Sequence, residues 1–129
     1  LNDKPMRTIL QEVGMFMRRV DPNWHIDEVI DEIKTNNIKN FVIDDLRFLN
    51  EVEKLTKHFK CKIIKIKCSK HNRLQRMIMR DMVVPTETQL ADSSEVEVNK
   101  LPFDYLIEND GDTTALFEKV DAIMRSIKC

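Results

Sequence analysis

The chain has 129 residues, of which 42% are hydrophobic and 33% charged, with a formal net charge of −1. This balance describes a soluble fold long enough to bury its own core, and it excludes nonspecific nucleic-acid binding through bulk charge. No apolar run approaches the roughly 18 residues of a membrane span and no secretory signal is present, so neither a membrane nor a nucleic acid is expected as a direct partner. The three cysteines, Cys61, Cys68 and Cys129, lack C-x-x-C spacing and read as free thiols in a reducing, cytoplasmic compartment.

In chain order, Pro5 suits the first turn of a helix, where a missing N–H costs nothing. Ile9, Val13, Phe16, Met17 and Val20 then recur at helical spacing and predict one apolar face. Gly14 sits inside this helix, where glycine costs about 1 kcal/mol relative to alanine. Close approach of a backbone or ligand would account for it. Arg7, Arg18 and Arg19 lie off the apolar stripe, either as a solvated face or as phosphate contacts. Asp21-Pro22-Asn23-Trp24 breaks the helix, and Asp21 or Asn23 can cap the next one, whose buried stripe is Ile26, Val29, Ile30 and Ile33. Trp24, the only tryptophan, suits a core plug or a platform for a base.

Asn36-Asn37 predicts a turn into a central strand, Phe41-Val42-Ile43, that ends in Asp44-Asp45-Leu46-Arg47. In open α/β sheets, ligands sit beyond the carboxyl ends of parallel strands. Two acids and an arginine there suit a metal-bound phosphorylated ligand; the alternative is a polar turn before a helix N-terminus. Phe48, Leu49, Val52, Leu55 and Phe59 define the following helix, with Glu51 and Glu53 in its early turns. Cys61 to Cys68 reads as the next strand, which predicts a parallel βαβ unit with the central strand.

Over residues 71–82, Arg73, Arg76 and Arg80 share one helical face beside Leu74, Met77 and Ile78. Aligned guanidinium groups suit an oligo-anionic ligand, or else form a solvated basic face. Val83 to Ser93 reads as a mobile loop and Ser93-Ser94-Glu95 as the start of a short helix. Tyr105-Leu106-Ile107 predicts a third strand, closed by the turn Asn109-Asp110-Gly111. Leu116, Val120, Ile123 and Ile127, flanked by Phe117 and Met124, predict the terminal helix. The scattered histidines, His25, His58 and His71, suggest no zinc site, and no nucleophile motif is present. Acids at a strand end with aligned arginines fit phosphoryl transfer, where positioning and charge neutralisation dominate.

These residues resemble a known family. Arg7-x-x-Leu10-Gln11-x-x-Gly14, then Arg18, then Asp21-x-x-Trp24, is similar to the R-x-L-Q-x-x-G-T…R…D-x-W segment of deoxynucleoside monophosphate kinases of the phage and large DNA virus type. Val42 to Glu51 looks like that family's V-I-D-D-V-R-F-P-N-E, and the arginine helix, Ser94-Glu95 and Asn109-Asp110-Gly111 follow in the same order. The resemblance spans essentially the whole chain as one domain. It implies an α/β, three-layer, P-loop-kinase-like parallel sheet flanked by helices, lacking the first strand and the P-loop.

It also implies transfer of the γ-phosphate of ATP, with Mg²⁺, onto a nucleoside monophosphate. By this carry-over Arg7, Gln11 and Arg18 line the monophosphate pocket and Trp24 lies on the base side. Asp44 or Asp45 acts at the metal or the acceptor phosphate, with Asp44 the magnesium ligand, and Arg47 holds a phosphate. Arg73, Arg76 and Arg80 become lid arginines. Met15 replaces the family's threonine, and Asp92-Ser93-Ser94-Glu95 stands for H-x-S-E. The family's P-loop would precede Leu1, so these 129 residues are not expected to be active alone. ATP and Mg²⁺ are implied only if that loop exists upstream. The alternative is a non-catalytic, kinase-like structural protein of a virion or scaffold, forming a homodimer or an assembly with other virion proteins, in the host cytoplasm or the virion.

Overall fold

The computed structural model describes residues 5–91 and 96–128. In chain order these form α1 (Met6–Val20), α2 (Trp24–Thr35), α3 (Leu49–His58), β1 (Ile64–Lys67), α4 (Lys70–Asp81) and α5 (Glu87–Leu90). A 3-10 turn (Glu97–Lys100), β2 (Tyr105–Glu108) and α6 (Thr113–Lys128) follow. The class is mixed α/β, mostly helical. The chain divides into two compact units, Leu1–Cys61 with Glu87–Leu101, and Lys62–Thr86 with Pro102–Cys129.

The first unit is built on α2 and α3. The predicted stripe of α2 is its buried face: Ile26, Ile30 and Ile33 are buried, and Ile26 and Ile30 pack with Leu55 of α3. Val29, Ile43, Leu46, Phe59 and Cys61 close over this cluster. Phe41 meets Phe59 edge-on, with ring centroids 5.2 Å apart. The Asn36-Asn37 turn forms as expected, with Asn37 at φ 50° and the Asn36 amide bonded to the Glu32 carbonyl. Asparagine tolerates that left-handed geometry better than most residues.

Not every expectation is met here. Phe41–Ile43 is not a strand. Val42 is 93% exposed while Ile43 joins the core, so the alternation survives without a pairing partner. A strand exists only through a neighbour's hydrogen bonds, and the βαβ unit expected between this segment and β1 is therefore not formed. On the apolar face of α1, Ile9 and Met17 are half-buried and the rest is exposed. Val13, Phe16 and Val20 are 53%, 61% and 70% exposed, and α1 contributes no buried residue. Its polar edge makes the contacts instead, through Arg18 to Glu51 and through Thr8 and Gln11 to Gln89. The 83–93 stretch is likewise not wholly a loop: Glu87–Leu90 forms a helical turn with Gln89 buried.

In the second unit β1 and β2 pair in parallel, from Ile64 opposite Tyr105 to Lys67 opposite Glu108, and they are the only sheet among the described residues. Ile107 is 2% exposed, α6 packs along β2, and Leu116, Val120 and Ile123 of α6 are half-buried. Asp104 fixes the entry to the pair by accepting the Ile63 N–H at 2.8 Å. Ser69 caps α4 by accepting from the Asn72 N–H, Met82 ends that helix in the left-handed region at φ 54°, and Asp112 caps α6 through the Ala115 N–H. No helix among the described residues is long and apolar enough to cross a membrane. The expected helix start at Ser93-Ser94-Glu95, and Asp92 with it, lies outside the described residues.

Candidate functional site

In the first unit, the loop carrying Asp44, Asp45 and Arg47 is organised by Glu51. Phe48 occupies the N-cap of α3 and supplies no side-chain hydrogen bond from its ring, a poor choice where serine, threonine or aspartate is favoured. Glu51, three residues on, reaches back instead: its Oε2 accepts the N–H groups of Arg47 and Phe48, both at 3.2 Å. Its Oε1 accepts from Arg18 Nη2 at 3.4 Å. The Arg18 guanidinium lies 4.1 Å from the centre of the Phe48 ring, a cation–π contact.

Gly14 belongs to the same arrangement. A Cβ at that position would stand 3.0 Å from Arg18 Nη1, so the missing side chain leaves room for the guanidinium one turn along α1. Asn50 ties the start of α3 to the turn before α2, donating to the Pro22 carbonyl at 2.8 Å and to Asn23 Oδ1 at 3.0 Å.

Trp24 is half-buried. Its ring is tilted against His25 with centroids 5.3 Å apart, and its Nε1 is shielded from solvent without a hydrogen-bond partner. His25 Nε2 stands 3.7 Å from Asp45 Oδ2, so a short chain of contacts links the α2 N-terminus to the acidic loop. Asp44 and Asp45 are exposed and Arg47 is half-buried. Among the described residues no group of three metal-ligating side chains gathers. Magnesium usually takes one or two carboxylates and completes its shell with phosphates and water, so the Asp44-Asp45 pair fits a metal carried in with a nucleotide. Arg7 and Gln11 lie half-buried on the polar edge of α1. Gln11 Nε2 reaches the Gln89 carbonyl at 3.4 Å, and the Gln89 amide donates to Thr8 Oγ1 at 3.0 Å.

In the second unit the three aligned arginines have unlike surroundings. Arg73 is exposed and makes no ion pair among the described residues. Arg76 donates to the carbonyls of Asn109 at 2.6 Å and Gly111 at 3.0 Å. Arg80 pairs with the neighbouring Asp81 at 2.7 and 2.8 Å. Asp110 accepts the Ser69 N–H at 2.8 Å and the Asn72 amide at 2.9 Å. Those two hydrogen bonds, the Ser69 N–H first, hold its carboxyl below the ordinary carboxylate value.

Arg18, Arg47 and the acidic loop thus belong to one connected arrangement, and Trp24 reaches it through His25. Glu51, Asn50, Gly14 and Gln89 are the structural partners missing from the sequence-based site. Glu51 was legible only as an acid in the early turns of a helix; Gln89 sits in a segment without periodicity and gave no signal. No protein-family model, curated protein or solved structure matches the chain.

Proposed function

We propose that the chain carries the monophosphate-binding portion of a P-loop-kinase-like nucleoside monophosphate kinase. The observation supporting this reading is the Arg18 guanidinium held against Glu51 and Phe48 beside the Asp44–Arg47 loop. A guanidinium fixed in this way can bind phosphate oxygens as a fork. In this reading Arg18, with Arg7 and Gln11, takes the acceptor phosphate, Arg47 holds a second phosphate group, and Trp24 lies towards the base. Asp44 would hold Mg²⁺ through its carboxylate, and the cation would supply charge neutralisation at the phosphates. The ATP cradle would have to come from a G-x-x-x-x-G-K-[ST] segment outside these 129 residues. In the transfer this reading implies, an acceptor phosphate oxygen would form its bond to the γ-phosphorus as the bond to ADP breaks, with Arg18 and Arg47 placed to take up charge on the phosphate oxygens.

The test is a titration of the chain with deoxynucleoside 5′-monophosphates and the matching nucleosides, read by Trp24 fluorescence and calorimetry. Monophosphates should bind at least tenfold more tightly than nucleosides, and Arg18→Gln should remove most of that difference. Equal affinity for nucleoside and monophosphate would overturn the reading.

A second reading is favoured by α1, where Met6, Leu10, Val13, Phe16 and Val20 are each more than half exposed. Contiguous apolar faces of this kind mark interaction surfaces. They suit a non-catalytic, kinase-like structural component of an assembly such as a virion. In that case the same titration gives no monophosphate binding, and the chain sediments as a larger species.

A further inference from the structure

Among the described residues Glu51 is the only buried carboxylate, with 3% of its surface exposed. Burying a carboxylate is unfavourable unless donors converge on it. Here three do, two from the backbone of the acidic loop and one from a side chain 33 residues earlier. Capping α3 does not need this arrangement. A serine or aspartate at position 48 would cap the helix at the surface. Position 48 is instead a phenylalanine whose ring lies against Arg18, and the capping passes to Glu51.

We infer that Glu51 is a positioning residue that presents Arg18 to a phosphate monoester, an inference that rests on the monophosphate-binding reading. Glu51 occupies one of the five N–H donors of the guanidinium, Phe48 covers its face, and Gly14 leaves space at Nη1. The Arg18 guanidinium makes no other hydrogen bond among the described residues, so its remaining donors are available to ligand oxygens in an orientation set before binding. Preorganisation of this kind lowers the ordering cost that a free arginine would pay on binding. The same carboxylate fixes the Arg47 and Phe48 N–H groups, so the two phosphate-facing arginines share one anchor.

Glu51→Gln separates the two roles. Its amide oxygen can still accept the loop N–H groups, while its NH₂ meets Arg18 donor to donor. The probes are dTMP, dGMP and their nucleosides, together with the Arg18 Nε–H resonance in ¹⁵N NMR of the free chain. The variant should bind monophosphates about tenfold more weakly and nucleosides unchanged, and the Arg18 resonance should collapse towards the solvent-exposed position. Unchanged monophosphate affinity, or an unmoved Arg18 resonance, would overturn the inference. If the wild-type chain binds no monophosphate, the proposed function fails, and the resonance alone then decides whether Glu51 orders Arg18. Should Glu51→Gln not fold, Phe48→Leu keeps the ion pair and removes the ring, with an expected loss of two- to fivefold in monophosphate affinity; no loss there would count against the inference equally.

Discussion

Replacing Gly14 with alanine should stabilise the fold and weaken phosphate binding together. Gly14 lies inside α1, and no glycine among the described residues has a positive φ, so the backbone itself does not demand glycine. Alanine in a helix interior gains up to about 1 kcal/mol in propensity. Against this, the added Cβ would stand 3.0 Å from Arg18 Nη1, closer than ordinary van der Waals contact. The guanidinium is the far end of a flexible side chain and can move by a few tenths of an ångström. Its bond to Glu51 is already long at 3.4 Å, so such a movement costs a fraction of that contact. We expect net stabilisation of about 0.5 kcal/mol, seen as a rise of about 2 °C in Tm, with monophosphate affinity reduced by about two- to fivefold. Circular dichroism during urea and thermal unfolding measures the first, and the Trp24 titration measures the second. Destabilisation beyond about 1 kcal/mol would refute the reasoning, because it would mean that position 14 faces something that cannot move. Stabilisation with unchanged affinity would show that the placement of Arg18 has no bearing on ligand binding.

Two further outcomes follow from side-chain anchors. Asn50→Ala removes the bonds to Pro22 and Asn23 and should cost about 1–2 kcal/mol in urea unfolding, leaving the far-UV spectrum unchanged; a loss under about 0.3 kcal/mol would mean that solvent replaces both bonds. Asp110→Asn should lower the thermal stability at neutral pH, where the ionised carboxylate is the better acceptor for Ser69 and Asn72. The folded-state value of Asp110 is lowered from 3.8, so its contribution is full above 3.8 and is lost as pH falls through the depressed value. Melting curves of the two proteins should therefore converge only as pH falls below 3.8. Convergence already at pH 5 would show that another group carries the effect.

The helices were legible because their signals are periodic. The stripe Ile26, Val29, Ile30, Ile33 predicts α2 and its buried face, and Leu116, Val120, Ile123 and Ile127 predict α6, where the first three are half-buried and Ile127 is exposed. The same signal in α1 gave the helix and its apolar face, because periodicity identifies such a face without saying what meets it. Phe41–Ile43 carries a strand-like composition, but strand formation depends on a neighbour that a local pattern does not contain. Among the candidate residues, the sequence placed Arg73, Arg76 and Arg80 on one helix, as observed. It could not show that Arg76 is engaged by two carbonyls more than 30 residues away. Glu51 was visible as an acid at a helix start, a local preference, whereas its grip on Arg18 is a contact across 33 residues.

The attachments of the β2–α6 turn fasten α4 at two levels. Asp110 holds the first turn through Ser69 and Asn72, and Arg76 holds the middle through Asn109 and Gly111. The strand end, the turn and the helix are therefore one mechanical piece: a shift of Asn109–Gly111 reaches Ser69, Asn72 and Arg76 directly. Of three residues that share one helical face, Arg76 is the one whose position is tied to that turn.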